Sequence, residues 1–359
     1  MSFSSSKRII FLGFNNLFKH KRGVENVIEF QSYSSLSEIN YYIHWDDKNA
    51  VYHYGHLICI AVKKNIFWIL TLNLILFKIK KKESGAFIHS HNALMSIFSI
   101  YQSDLFTLHD ALYYLTKATN HKFNKLFFLL EKLLYLRIKY IHFISVYAKE
   151  MSLYNSNKNY TIIFNTSHLE KFNIEKYNIE ENHTKKVNFK TSSVKVFVVR
   201  SIEKRARVDL LIEVAEKLIN SKFEFFIAGK GPLLNKYRDV IKNKQLKNIN
   251  LLGYVSDKDL IGYYKECDLV IVPAEYGEGF GLPIIEGYLF NKPVIASNKC
   301  AIPEIIYSDE FLFENTIENL IEKLYFATDK TNFGFKEFYN KKYSNFIITK
   351  KFNELYTTI

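Results

Sequence analysis

Two carboxylates, two glycines and a proline fall within the nine residues Glu278-Gly279-Phe280-Gly281-Leu282-Pro283-Ile284-Ile285-Glu286. Ionised carboxylates only accept hydrogen bonds, which suits a ligand rich in hydroxyls such as a ribose or another sugar. Glycines let the backbone come close to a ligand or take positive φ, and the free N–H groups at a helix start attract phosphate oxygens. The run therefore has the chemistry to hold a ligand carrying both hydroxyls and phosphate. Taken alone, it fits equally well a Glu278 that caps a helix and a Glu286 that is solvated on its surface.

The elements that must position these groups are legible around them. Leu269-Val270-Ile271-Val272-Pro273-Ala274 reads as a buried strand, a glycine-rich turn follows, and Pro283 suits the first position of a helix. Glu278 then precedes the helix and Glu286 lies roughly one turn inside it, so the two reach different parts of one ligand. Lys195 to Arg200, Phe223 to Gly229, Asn248 to Gly253 and Pro293 to Ser297 read as further parallel strands. Leu211, Val214, Ala215 and Leu218 give one helix an apolar face, and Ser256 with Asp259 forms a capping box for another.

Upstream, strands are expected at Arg8 to Phe14, Asn40 to Trp45, Gly85 to His89, Leu105 to His109, His142 to Ser145 and Thr161 to Phe164. Val24, Val27 and Ile28 place the first helix just after Gly23. This is an α/β pattern in two halves, joined by a linker rich in Asn, Ser, Thr and Lys from Asn173 to Ser193.

The chain has 359 residues, 48% of them hydrophobic, enough for two domains with their own cores. Cys59, Cys267 and Cys300 are far apart and lack metal-ligand spacing, so a reduced cytoplasmic setting without disulfides is expected. The polar stretch Met1 to Ser6 leads straight into a first core strand, without the pattern of a signal peptide. Net charge is +13, with 23 Lys and Arg against 14 Asp and Glu in residues 1–185 and 26 against 22 in 186–359. An anionic partner is implied, chiefly for the first half. No nucleic-acid motif accompanies the charge, so nucleic acid is not the expected partner.

Two upstream segments bear on that partner. Asn65 to Phe77 is nearly all apolar between lysines, too short to span a bilayer that needs about 20 residues, and reads as a crossover helix. Residues 111–141 mix Tyr113, Phe127, Phe128 and Tyr135 with Lys117, Lys122, Lys125 and Lys132, the chemistry of a basic amphipathic helix on an anionic membrane surface. Solvated lysines on ordinary packed helices fit that segment as well. His89 and His91 end one strand and His109 the next; no further ligand accompanies them, so no metal site is expected.

From Val194 to Glu304 the chain resembles the donor-binding domain of glycosyltransferase family 4, retaining enzymes of the two-domain GT-B architecture. The matching pieces are Val198-Val199-Arg200, Val208 to Glu213, Ile227-Ala228-Gly229-Lys230-Gly231-Pro232, Leu252-Gly253-Tyr254-Val255, the run from Glu278 to Glu286, and Pro293 to Ser297 with Ile302-Pro303-Glu304. The first half resembles the family only through short stretches. The resemblance implies two Rossmann-like domains facing across a cleft, an acceptor domain at 1–185 and a nucleotide-sugar domain at 186–337, with 338–359 a helix crossing back to the first. It implies catalytic roles for Arg200, Glu278 and His91, with Arg200 on the diphosphate.

By the same resemblance Glu286 holds the ribose hydroxyls and Glu278 the donor sugar, while the N–H groups of Phe280, Gly281 and Leu282, beside Gly279, meet sugar and phosphate oxygens. Tyr254 and Val255 flank the base, with Gly229 opening the loop beside it. The family's second cation is a lysine; Lys204 or Arg205 stands for it here, and the glycine before the arginine is Val199. Arg22 and Gly23 occupy the family's glycine-pair loop, and His109 falls near the acceptor pocket. Members use no metal or other cofactor for this step and act on glycan acceptors, many lipid-linked at the cytoplasmic leaflet. The function implied is sugar transfer in the synthesis of a bacterial surface polysaccharide or lipopolysaccharide. A soluble enzyme acting on a small molecule or protein, and a non-catalytic binding relative, are the alternatives.

Overall fold

The computed structural model describes residues 7–19, 23–34, 37, 39–155, 158–172, 193–330 and 333–359. The expected linker, all but Ser193, and Arg22 lie outside these residues. The chain forms two compact units, Met1–His168 with Ile348–Ile359, and Leu169–Ile347. Among the described residues no helix is long and apolar enough to cross a membrane.

Unit 1 runs β1 (Ile9–Leu12), α1 (Gly23–Tyr33), β2 (Asn40–Asp46), β3 (Ala50–Tyr54), β4 (Leu57–Lys63), α2 (Trp68–Lys82), β5 (Phe87–Ser90), α3 (Ala93–Phe98), β6 (Ser103–Leu108), α4 (Leu112–Ala118), α5 (Asn124–Leu136), β7 (Ile138–Phe143), α6 (Val146–Glu150) and β8 (Asn159–Ile162). Unit 2 runs β9 (Val194–Val199), α7 (Val208–Lys217), β10 (Phe223–Ala228), α8 (Leu234–Asn243), β11 (Ile249–Gly253), α9 (Asp257–Glu266), β12 (Leu269–Val272), α10 (Leu282–Leu289), β13 (Val294–Ser297), α11 (Ile302–Ile305), β14 (Leu312–Phe313), α12 (Ile317–Thr328) and α13 (Phe335–Lys342). The last helix is α14 (Asn345–Thr358).

The first sheet has the order β3-β4-β2-β1-β5-β6-β7-β8 and is parallel except for the edge strand β3. Strands buried on both faces read as unbroken apolar runs, as Ile9-Ile10-Phe11-Leu12 does. Phe11, Phe87 and Leu105 project to one face, where Ile28 of α1 and Ile348, Phe352 and Leu355 of α14 cover them. Ile10, Leu12 and Ile88 project to the other, under Leu72, Leu76 and Ile79 of α2 and Met95 of α3. Leu134 and Tyr135 of α5 continue that layer over Phe106 and Ile141.

The second sheet is all parallel in the order β11-β10-β9-β12-β13-β14. The order in which strands are added reverses between β9 and β12, which pair in parallel at the centre. Leu211, Val214 and Ala215 of α7 are buried as their spacing requires. Ser256 Oγ caps α9 by accepting from Asp259 N–H at 3.2 Å and donating to Asp259 Oδ2 at 2.7 Å.

Several expectations are corrected. The hairpin of β3 and β4 was not anticipated; it turns on Gly55-His56, with Gly55 at φ 56°. The segment 111–141 is not one helix: Asn120 at φ 50° separates α4 from α5, and β7 already begins at Ile138. The single C-terminal helix is two, because Tyr343 and Ser344 close α13, which belongs to unit 2; only the segment from Ile348 onward belongs to unit 1.

Candidate functional site

In an open parallel sheet, ligands bind beyond the carboxyl ends of the strands where the winding direction reverses, because the two flanking loops diverge there. In unit 2 that point lies between β9 and β12. The loop leaving β9 carries Arg200, Lys204 and Arg205; the loop leaving β12 carries Glu278, Gly279, Phe280 and Gly281. The fold thus brings together two groups of residues far apart in the chain, Arg200 and Glu278 being 78 positions apart.

Arg200 and Glu278 form an ion pair through Nη1 and Oε2, with side chains only 8% and 15% exposed. Sequence alone showed no sign of this contact. Burial pushes the Glu278 carboxyl up, but Arg200 first, then Arg205 and the Gly281 amide, outweigh it and hold the pKa below the ordinary carboxylate value. Arg200 Nε is buried without a hydrogen-bond partner. A buried donor left unpaired costs about 1–3 kcal/mol, so this N–H calls for a hydrogen-bond acceptor.

The two loops are also stitched to each other. Arg205 Nη1 donates to the Gly277 carbonyl at 2.7 Å, and Glu275 N–H donates to the Arg205 carbonyl at 2.8 Å. Arg207 sits at φ 49°, an uncommon conformation for a side-chain-bearing residue, and pairs with Glu275 at 2.6 Å and Asp209 at 3.3 Å. Lys204 is exposed, so the structure assigns Arg205 and Arg207 to loop geometry and leaves Lys204 facing solvent.

Gly281 starts α10 at φ 91°, and a Cβ there would meet Ile284 Cδ1 at 2.9 Å. Leu282 and Pro283 open the helix. Phe280 is buried, its ring 6.3 Å from that of Tyr343. Glu286 lies inside α10, buried, and its Oε2 accepts from Tyr264 Oη at 2.7 Å. A solvated surface Glu286 is therefore excluded. Tyr264 went unnoticed in the sequence; it is stacked on Phe290 and edge-on to Phe197, which fixes the hydroxyl that holds Glu286.

Gly229 and Gly231 have a structural reason to be glycine. A Cβ on Gly229 would lie 1.7 Å from the Arg200 carbonyl oxygen, and one on Gly231 would lie 2.3 Å from that of Ile202. Gly229 N–H donates to Gly253 and Ile202 N–H to Lys230, so this loop braces the Arg200 loop. Beside it lies a groove of about 520 Å³ lined by Lys230, Asn235, Arg238 and Tyr254. Tyr254 is 69% exposed with the Lys230 ammonium 4.9 Å above its ring, and Val255 is half-buried next to it.

Unit 1 has its own reversal between β1 and β5. His91 follows β5 there, its N–H donating to the Leu12 carbonyl at 2.8 Å, and Gly23 opens α1. His91 Nδ1 and His109 Nε2 are 2.8 Å apart, while His91 Nε2 is buried with no partner. A second chain of bonds runs behind it. His142 Nε2 must donate to the Ile163 carbonyl at 2.8 Å, so its Nδ1 accepts from Thr107 Oγ1 at 2.9 Å. Thr107 in turn accepts from His89 Nε2 at 2.7 Å, which leaves His89 Nδ1 to accept from Tyr356 Oη at 2.8 Å. The carbonyl at one end fixes every tautomer in the chain, provided the rings are neutral. Burial first, then neighbouring histidines, pushes His89 and His91 well down and His109 to about 3; burial takes His142 to about 4. Among the described residues no group of three or more His, Cys, Asp or Glu side chains is placed to hold a metal ion.

This arrangement of buried cation, carboxylate and glycine-flanked helix mouth can be set beside known proteins. Residues 179–333 match the family model of glycosyl transferases group 1. The poly(ribitol-phosphate) alpha-N-acetylglucosaminyltransferase of Staphylococcus aureus is 29% identical over 189 residues, 49% of this chain and 38% of that one. The chain spans only about a third of the length of the curated relatives it matches, 30%, 33% and 38% of the first three. Among solved structures, the sucrose-phosphate synthase of Thermosynechococcus elongatus superposes with a TM-score of 0.77 at 13% identity, covering 98% of both chains. Anabaena HepE in complex with UDP superposes at 0.74 and 13%, covering 98% of this chain and 100% of that one. The chain has the GT-B fold. The segment matched by that family model contains every residue placed above in the site of unit 2.

Proposed function

We propose that this chain is a retaining glycosyltransferase of family 4 that moves a sugar from a UDP- or GDP-sugar to a glycan acceptor, lipid-linked, in bacterial surface polysaccharide or lipopolysaccharide synthesis. The observation that carries the reading is the buried Arg200, with one N–H unpartnered, held by Glu278 at the mouth of helix α10. The group 1 match and the UDP bound to the HepE relative of the fold support the donor class, and the name of the S. aureus relative supports a polymer acceptor.

In this reading the diphosphate binds between the N–H groups at the start of α10 and the Arg200 guanidinium, which can grip two phosphate oxygens. Lys204, exposed on the same loop, is the second cation, while Arg205 keeps the loop in place. Glu286, oriented by Tyr264, takes the ribose hydroxyls; Glu278 takes the donor sugar; Tyr254 and Val255 flank the base. His91 offers its unpartnered Nε2 to the substrate. As the bond between the anomeric carbon and the diphosphate oxygen breaks, the acceptor hydroxyl attacks from the same face and its proton passes to a leaving phosphate oxygen. The protein contributes charge stabilisation and orientation. No metal is required in this scheme, the cations being protein side chains.

The test is donor cleavage followed by proton NMR with a set of UDP- and GDP-sugars. One donor class is expected to release its nucleotide diphosphate and a sugar first formed with the donor's anomeric configuration. A sugar formed with inverted configuration, or cleavage at wild-type rate in Arg200→Ala, contradicts the proposal.

A further inference from the structure

The helices α2, α3 and α5 lie side by side on one face of the unit 1 sheet. Asn73 of α2 donates to the Phe98 carbonyl at 3.0 Å and accepts from Ile100 N–H at 2.7 Å, and Gln102 Nε2 after α3 donates to Leu136 O of α5 at 3.3 Å. Their inner sides are buried on the sheet. Their outer sides carry an excess of apolar surface.

Ile66, Phe67, Leu70, Leu74 and Phe77 are exposed along α2 and its approach, Phe67 and Leu70 at 60%. On α5 and its approach Phe123, Leu126, Leu129, Leu133 and Leu136 are exposed, Leu136 at 67%. Leu94, Phe98 and Ile100 lie on and after α3, between them. Thirteen of the twenty-three exposed large hydrophobic side chains among the described residues thus fall on this one layer. Single exposed leucines are ordinary, but a contiguous apolar face is the mark of a partner.

The charge around this face is mostly of one sign, and Asp104 at its edge is paired with Lys139 at 2.7 Å. From Lys63 to Gln102 the only acidic residue is Glu83, which pairs with Arg8 at 2.7 Å. From Ala111 to Arg137 the only one is Glu131, fully buried and bonded to the backbone of Tyr113 and Leu153. Exposed lysines border the apolar stripes: Lys63, Lys64, Lys78 and Lys81 around α2, and Lys122, Lys125 and Lys132 around α5. Lys81 falls one turn beyond Phe77 on the same stripe as Leu70 and Leu74. Helix stability does not account for the lysines at α5, whose first turn has no acidic residue and no side-chain cap although a cation is unfavourable at that end.

We infer that the outer face of α2, α3 and α5 is a docking surface for an anionic lipid bilayer, with the leucines and phenylalanines entering the acyl boundary and the lysines meeting the headgroups. A second copy of the chain is disfavoured because a two-fold contact would set lysines against lysines. α2, with fifteen residues, lies in the surface and does not span it. The inference does not rest on the donor-site reading.

Flotation with vesicles of phosphatidylcholine alone and with added phosphatidylglycerol tests it. The wild-type chain is expected to float with the anionic vesicles and to be released by salt. The triple variants Leu70→Gln, Leu74→Gln, Phe77→Gln and Leu126→Gln, Leu129→Gln, Leu133→Gln are each expected to bind at least about tenfold more weakly. All six positions are exposed, so thermal melts should show both triple variants folded; Lys78→Gln with Lys81→Gln is a milder change expected to reduce the salt dependence. No binding of wild type to anionic vesicles at low salt, or binding that survives both triple variants, overturns the inference. So does self-association of the wild type abolished by the α2 triple variant, which would assign the face to a second copy. Nucleotide-sugar binding is read separately on the same samples and is expected to be unchanged in every variant.

Discussion

The pair Arg200 and Glu278 joins the two loops of unit 2, and its chemistry sets what substitution can reveal. Arg200→Ala removes the cation proposed for the diphosphate and leaves a mostly buried carboxylate without its partner, a loss of about 3–5 kcal/mol in fully buried cases and less here. We therefore expect Arg200→Ala to abolish transfer and to lower the melting temperature, and the double variant with Glu278→Gln to regain most of the stability while staying inactive. A double variant that melts no higher than Arg200→Ala contradicts the pairing. Tyr264→Phe removes the hydroxyl from buried Glu286 and should cost about 1–3 kcal/mol by denaturant unfolding while weakening nucleotide-sugar binding. Unchanged affinity at measurably lower stability would make Tyr264 purely structural. Both carboxylates were visible in the sequence because their spacing around Gly279, Gly281 and Pro283 is local. Their partners Arg200 and Tyr264 were not paired with them, since 78 and 22 residues separate them and only the fold closes those distances.

Elements respond to pH and to backbone crowding. His89, His91, His109 and His142 are all held neutral by burial in unit 1, so the unfolded chain binds more protons than the folded one once pH falls below the ordinary histidine value of about 6.5. Stability from these groups is full above that value and is lost as pH falls towards about 4 and about 3, the values of His142 and His109. Melting temperature is therefore expected to drop between pH 7.5 and pH 5, ahead of carboxylate protonation (about 4); a flat or rising profile over that interval contradicts neutral histidines. Gly229→Ala should be severely destabilising, because its Cβ would lie 1.7 Å from a backbone oxygen at φ 151°; a variant melting like wild type would show that the loop can move away from Arg200. Periodicity found α7 and the cap of α9, where the signal is contained in one helix. It missed the β3–β4 hairpin, although Gly55 between the strand-forming runs Val51-Tyr52-His53-Tyr54 and Leu57-Ile58-Cys59-Ile60 was the available signal. It also merged α4, α5 and the start of β7, whose aromatic and lysine content is uniform while Asn120 alone breaks the helix.

At the scale of the whole chain, the two α/β halves followed from the alternation of strands and helices, but membership of the last helix did not. Ile348, Phe352 and Leu355 complete a core built from β1, β5 and α1, and Tyr356 anchors the histidine chain. Deleting residues 345–359 should therefore expose that core, at about 1.5–3 kcal/mol for each large side chain, and leave unit 1 unable to fold cooperatively. A deletion variant with the wild-type melting profile would mean that α14 is dispensable. Unit 2 is expected to hold a nucleotide sugar between Arg200 and α10. Thermal stabilisation of the purified chain by a panel of UDP-, GDP-, ADP- and CMP-sugars tests it most directly, with Arg200→Ala and Glu286→Ala alongside. A clear shift with UDP- or GDP-sugars, lost in both variants, is the predicted result. No shift with any donor in a protein shown to be folded, or a shift that survives both substitutions, would contradict it.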